Sequence, residues 1–113
     1  ISTAAEIGDY VHIGPSASVI GGVEGMLRMG HFTNLAAGVR VICGTDRYLG
    51  AGLIGSGALP PRYRDEIQTA PVVIEQFANV GTNAIVMPGI IVMVMAGTEL
   101  PLLAGLAQAG ADR

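Results

Sequence analysis

Two histidines, His12 and His31, are the side chains best suited to chemistry in this chain. An imidazole titrates near neutral pH, so a positioned histidine can take a proton from a hydroxyl or an amine. Asp9, Asn34 and Asp46 are polar groups that could orient such a base or meet its substrate. A second concentration of chemistry lies in YLGAGLIGSGALPPRYRDEI, residues 48–67. Arg62 and Arg64 within it, with Arg47 just before it, can grip a phosphate through paired N–H donors, and Tyr48 and Tyr63 add phenols. Such groups suit a phosphorylated or hydroxylated substrate. The alternative is a solvated excursion whose Arg and Asp side chains pair with one another. Cys43 would need an activating base or electropositive surroundings to act as a nucleophile. Its position suggests a turn or a packed edge, and a structural role is commoner for such a residue. Two histidines fall short of a full set of metal ligands, so no metal is expected.

Composition narrows what these groups can serve. The chain has 113 residues and 11.5 kDa, room for one domain. Half of it is apolar, with aromatics at 4% and no Trp, so small and branched side chains must fill the core. Its net charge is −3 and its six bases are all Arg, which leaves no electrostatic footprint for a nucleic-acid backbone. A single cysteine excludes an internal disulfide and suggests a reduced, cytoplasmic setting. The first residue is Ile1, so a leader or N-terminal stretch is expected to be missing; no basic segment followed by an apolar one remains. Residues 76–98 carry no charge and are long enough to span a bilayer, but Asn79, Asn83 and Pro88-Gly89 interrupt them. No membrane span is expected.

The elements that must position the histidines show themselves as a repeat of six. Written from Ile1, the chain reads ISTAAE, IGDYVH, IGPSAS, VIGGVE. Residues 25–28 break the phase, which resumes as MGHFTN, LAAGVR, VICGTD. After residue 46 comes a long interruption, and then IEQFAN, VGTNAI, VMPGII from Ile74. Ten times an aliphatic stands first and a small or branched residue fifth. Neither a helix nor an ordinary strand repeats at six. A short strand and a turn per hexad, stacked as a parallel β-helix, does. First-position residues should point inward, and the second-position Gly8 and Gly14 should let the backbone turn. An antiparallel sheet would instead show period two and Asn-Gly or Asp-Gly hairpins, and neither dipeptide occurs.

The hexads, with IGDYVHIGPSASVIGG at 7–22, GTDRYLG at 44–50, LPPRYRDE at 59–66 and PVVIEQFANVGTNAIVMPG at 71–89, resemble the hexapeptide-repeat acyltransferases. The match is closest to bacterial sugar O- and N-acetyltransferases of polysaccharide biosynthesis. The resemblance implies an all-β, left-handed parallel β-helix with three hexads per coil, assembled as a homotrimer. It implies acetyl-CoA as acyl donor and a small-molecule sugar or nucleotide-sugar as acceptor. His12, in YVHI, matches a place where the family often carries a histidine and is the first candidate for the catalytic base. His31 is the second. For both, a structural role stands beside the catalytic one, since polar groups at a seam seek partners. Gly81, Thr82 and Ala84 match hexads that line the groove for the pantetheine arm; they can equally serve only the turns.

With three hexads per coil and the four-residue insertion, hexad 29–34 should lie over 7–12, 35–40 over 13–18 and 41–46 over 19–24. Asn34 then sits over His12, and His31 over Asp9, which could fix its tautomer. The excursion, residues 47–67, should leave directly above the histidines. Asp9, Asn34, Asp46, Tyr48, Arg62 and Arg64 are the expected substrate-binding set. The β-helix should cover 1–97. Residues 98–113 lose the phase; Leu100, Leu103 and Leu106 follow helical spacing, with Thr98 as N-cap and Pro101 in the first turn, so a short capping helix is expected. The family normally continues with further hexads there. That departure keeps a second reading open, a non-catalytic β-helix module or truncated remnant that trimerises without binding CoA. A third, a metal-dependent hydratase on the same repeat, would need bound zinc.

Overall fold

The repeat of six folds as a stack of short parallel strands. The computed structural model describes residues 1–47, 49–54 and 58–94. β1 (Ser2–Ile7), β2 (His12–Ile13) and β3 (Ser18–Met29) open the chain, followed by β4 (Asn34–Leu35), β5 (Arg40–Ile42) and β6 (Gly44–Asp46). An excursion with a 3₁₀ turn at Pro61–Tyr63 leads to β7 (Ile67–Thr69) and β8 (Val72–Ile74). β9 (Asn79–Val80), β10 (Ile85–Val86) and β11 (Ile91–Val92) complete the described chain. Among the described residues the 3₁₀ turn is the only helical element. The expected helix within 98–113 lies outside them.

Three strand columns run side by side, and the chain visits them in turn. One column is β2–β4–β9, a second is the start of β3 with β5 and β10, and the third is β1, the end of β3, β8 and β11. All these pairings are parallel, which gives an all-β, β-helix-like fold. The stacking expected from the hexads holds: Ile7 pairs Met29, Ile13 pairs Leu35 and Val19 pairs Val41. The next coil continues in phase, with Ile74 over Met29, Val80 over Leu35 and Val86 over Val41. The four inserted residues are absorbed within β3. Thr3 pairs Gly22 and Ala4 pairs Met26, so the chain between them bulges and leaves Val23 in solvent.

Seven first-position residues form the core: Val19, Met29, Leu35, Val41, Ile74, Val80 and Val86. Fifth-position Thr33, Val39 and Ala78 close it, and the Thr33 hydroxyl donates to the Gly30 carbonyl at 2.8 Å. Each fully buried aliphatic contributes roughly 1.5–3 kcal/mol. Ile1, Ile7 and Ile13, expected inward, are exposed. They belong to the outermost described coil, which has a neighbour on one side only. Leu27, Val72 and Cys43 join the core from off-repeat positions, because within each strand alternate residues also face inward.

The turns work differently from the expectation. Gly8 and Gly14 do not carry the left-handed conformation. It falls on the fourth position of the hexads instead: Tyr10, Ser16, Gly22, Phe32, Gly38, Phe77, Asn83 and Gly89. Gly8 and Gly14 are required by close approach of the next coil. A Cβ on Gly14 would stand 2.8 Å from backbone atoms of Ala36 and Ala37.

Candidate active site

His12 opens β2 and is exposed. Asn34 stands over it in β4, and Asn79 over Asn34 in β9. The three side chains form one ladder. His12 Nδ1 lies 2.6 Å from Asn34 Oδ1, and Asn34 Nδ2 donates to Asn79 Oδ1 at 2.5 Å. With the Asn34 amide turned this way its oxygen can only accept, and the neutral His12 ring in this arrangement carries its proton on Nδ1. In that tautomer Nε2 holds the lone pair a general base requires, on a residue that is exposed. Asn34, expected to meet substrate, has both ends of its amide engaged.

His31 is built the opposite way. The Asp9 backbone N–H donates to His31 Nδ1 at 2.8 Å, so the neutral ring is protonated on Nε2. Asp9 does set the tautomer, but through its main chain. Its carboxylate stands 3.7 Å from Nδ1 and is largely in solvent. The ring rests against Gly8, where a Cβ would come within 2.9 Å of Nδ1. In this form His31 offers a donor to a developing negative charge, not a base. A cavity of about 350 Å³ opens beside it, bordered by Glu6, Arg28 and Glu75 over the Gly8 and Gly30 backbone. Arg28 Nε pairs with Glu6 at 3.4 Å on the surface.

At the fourth hexad position, between the third position that carries His31 and the sixth that carries His12, run three stacked rings that the hexads alone did not single out. Tyr10, Phe32 and Phe77 occupy equivalent turns, with centroids 5.0 and 5.5 Å apart and planes within 15°. Stacking worth about 0.5–1.5 kcal/mol per pair helps hold these residues in the left-handed region, where bulky side chains are rare. The column braces the corner that carries His31 on one side and His12 on the other.

The excursion is not gathered there. β6 pairs antiparallel with β7, with Asp46 opposite Ile67. This stem stands against Gly21–Glu24, at the corner that follows β5. The expected position above the histidines fails because hexad 41–46 is the third of its coil, so the chain leaves at a different corner. Asp46 is half-buried in the stem. Arg62 and Arg64 are exposed; the Arg62 guanidinium stacks on the Tyr63 ring at 4.7 Å. Tyr48 lies outside the described residues. Asp65 accepts from the Glu66 N–H at 2.8 Å and the Gly52 N–H at 3.2 Å, and these bonds hold its carboxyl below its ordinary value. Gly81 and Thr82 are exposed and Ala84 half-buried at the turn between β9 and β10. A Cβ on Gly81 would meet nothing within 4 Å. Cys43 stands at the bend between β5 and β6, packed into the core as a structural residue, and burial pushes its thiol up, which argues against a nucleophile. Among the described residues no three His, Cys, Asp or Glu side chains cluster as metal ligands, and no helix is long and apolar enough to cross a membrane.

Sequence reasoning passed over Asn79. The same arithmetic that set Asn34 over His12 places hexad 74–79 over 29–34, and so Asn79 over Asn34.

No protein-family model matches the chain, and no curated protein does. Solved structures do. AntD, an N-acyltransferase from Bacillus cereus, in complex with dTDP and 3-hydroxybutyryl-CoA, superposes with a TM-score of 0.75 at 17% identity, over 99% of this chain and 73% of that one. A point mutant of AntD with dTDP-4-amino-4,6-dideoxyglucose and Coenzyme A gives 0.74 at 17%, over 96% and 72%. Another mutant, with dTDP and Coenzyme A, gives 0.69 at 26%, over 80% of this chain and 46% of that one. At 17% identity the likeness establishes the shared fold.

Proposed function

We propose that the protein is an acyltransferase that moves an acetyl group from acetyl-CoA to an amine or hydroxyl of a sugar or nucleotide-sugar. The observation that carries this reading is His12, held with its Nδ1 on Asn34 and its Nε2 open on a β-helix-like scaffold. Nε2 takes the proton of the acceptor N–H or O–H as that atom attacks the thioester carbonyl. The C–S bond then breaks, and the proton passes from His12 to the departing thiolate. His31, with its N–H on Nε2, is our candidate donor to the oxyanion. Gly81, Thr82 and Ala84 form a low-profile surface along which a pantetheine arm can meet main chain. AntD in its complexes with CoA species and dTDP-sugars supports the donor and acceptor classes.

The reading includes a left-handed coil and a homotrimer. In a cyclic trimer adjacent chains present different corners to each other. Asp46, Tyr48, Arg62 and Arg64 of one subunit then serve the acceptor held at the histidine corner of the next. A cytoplasmic enzyme of polysaccharide biosynthesis fits this chemistry.

The test is thermal. Acetyl-CoA at 100 times its dissociation constant adds about 2.7 kcal/mol, which raises the melting temperature by roughly ten degrees in a domain of this size. His12→Ala should keep that shift and lose on the order of 10²–10⁴ in turnover with an amino-sugar nucleotide acceptor. No shift from a folded protein would turn the assignment to a non-catalytic β-helix module.

A further inference from the structure

We propose that Asn79 is a positioning residue that selects the tautomer of His12 through Asn34. This rests on the reading of His12 as the base. Each asparagine amide has one donating and one accepting end. In the ladder the links therefore turn together. With Asn79 Oδ1 toward Asn34, the Asn34 amide must donate upward and accept below, and His12 must hold its proton on Nδ1. If Asn79 presented its NH₂ instead, Asn34 would reverse, His12 Nδ1 would become an acceptor, and the proton would sit on Nε2. The base would then be lost with every distance unchanged. Asn79 lies 45 residues from Asn34 in sequence and two coils from His12, yet it decides which ring nitrogen is free.

The contrast with His31 sharpens the point. His31 receives a backbone N–H, which cannot turn round, so its tautomer is fixed by the fold. His12 has no main-chain partner in its ladder, only amides that can rotate. The site thus holds one histidine as acceptor and one as donor by two different devices, and only the first is open to substitution at a distance.

The experiment reads the ring nitrogens directly, by ¹⁵N NMR of the ligand-free protein above the histidine titration range. The wild type should show His12 protonated on Nδ1 and His31 on Nε2. Asn79→Asp, an acceptor only, should keep the His12 tautomer. Asn79→Leu should move His12 toward the Nε2-protonated form that an unconstrained imidazole favours, with His31 unchanged. Asn79→Ala, which adds no volume, repeats the test should the leucine variant not fold. With an active acceptor, kcat should fall roughly ten- to a hundredfold in Asn79→Leu while the KM for acetyl-CoA stays level, and Asn79→Asp should recover it. An Nε2-protonated His12 in the wild type overturns the proposal. So does an unchanged tautomer in both apolar variants. Neither readout needs turnover, so failure of the acyltransferase assignment would be seen separately, as missing CoA binding with the ladder intact.

Discussion

Gly14 shows how little room separates one coil from the next. A methyl group there would press on the main chain of Ala36 and Ala37 at 2.8 Å and on the Leu35 carbonyl at 3.0 Å. Backbone cannot rotate aside as a side chain can. Gly14→Ala should therefore lower stability by about 1–3 kcal/mol and the melting temperature by several degrees. Gly81 occupies the same hexad position two coils on, where the space is open. Gly81→Ala should leave the melting temperature of the ligand-free protein unchanged, and equal destabilisation of the two would refute the close-approach account. The same intimacy seats His31, whose ring occupies the space a Cβ on Gly8 would take. The hexads predict glycine at both places; only the contacts show that spacing, not turning, requires it.

Among the elements, the excursion has its own small architecture. The β6–β7 stem carries it, the Asp65 N–H donates to the Leu53 carbonyl and the Leu53 N–H to that of Tyr63, and the Asp65 carboxylate ties Gly52 to Glu66. Bonds from Glu66 and Gly52, with a smaller contribution from the Arg47 charge, depress the Asp65 titration below 3.8, its ordinary value. The sign follows: a carboxyl depressed in the fold supports loop order above its unfolded value, and that support is lost as pH falls through the folded one. The Gly52 and Glu66 amide resonances should titrate together with a midpoint below 3.8, and Asp65→Ala should abolish that titration without changing the global melting temperature. A midpoint at or above that value would remove the tie. That an excursion interrupts the hexads was legible from the loss of phase after residue 46. Its corner was not, because the arithmetic placed the excursion by the next hexad it displaces and not by the last one it follows.

For the whole molecule, the outward faces remain partly apolar. Ile20 and Ile85 look out from the β3–β5–β10 column, with Ile85 63% exposed, while their neighbours Val19 and Val86 fill the core. A domain this small buries a modest fraction of its surface, and packing such faces together in a cyclic assembly is the economical remedy. Sedimentation should give three times the 11.5 kDa chain mass. Ile85→Asp should return the monomer and, with it, abolish the CoA-induced thermal shift. A wild-type monomer would remove the shared site from the proposal.

By itself, the order of residues determined the stacking. Aliphatics at every sixth place can be buried only if coils lie in one register, since a slip of one residue turns them outward. That register alone carries Asn34 over His12 and His31 over Asp9. The tertiary structure decided what each of those neighbours does. Hydrogen-bond direction depends on which group the adjacent coil offers, and a carboxamide oxygen and a backbone N–H leave opposite nitrogens free on His12 and His31. The burial of Cys43 and the left-handed fourth positions likewise emerge only in the folded chain. The ladder bonds themselves join residues 22 and 45 apart in sequence, which no local pattern records.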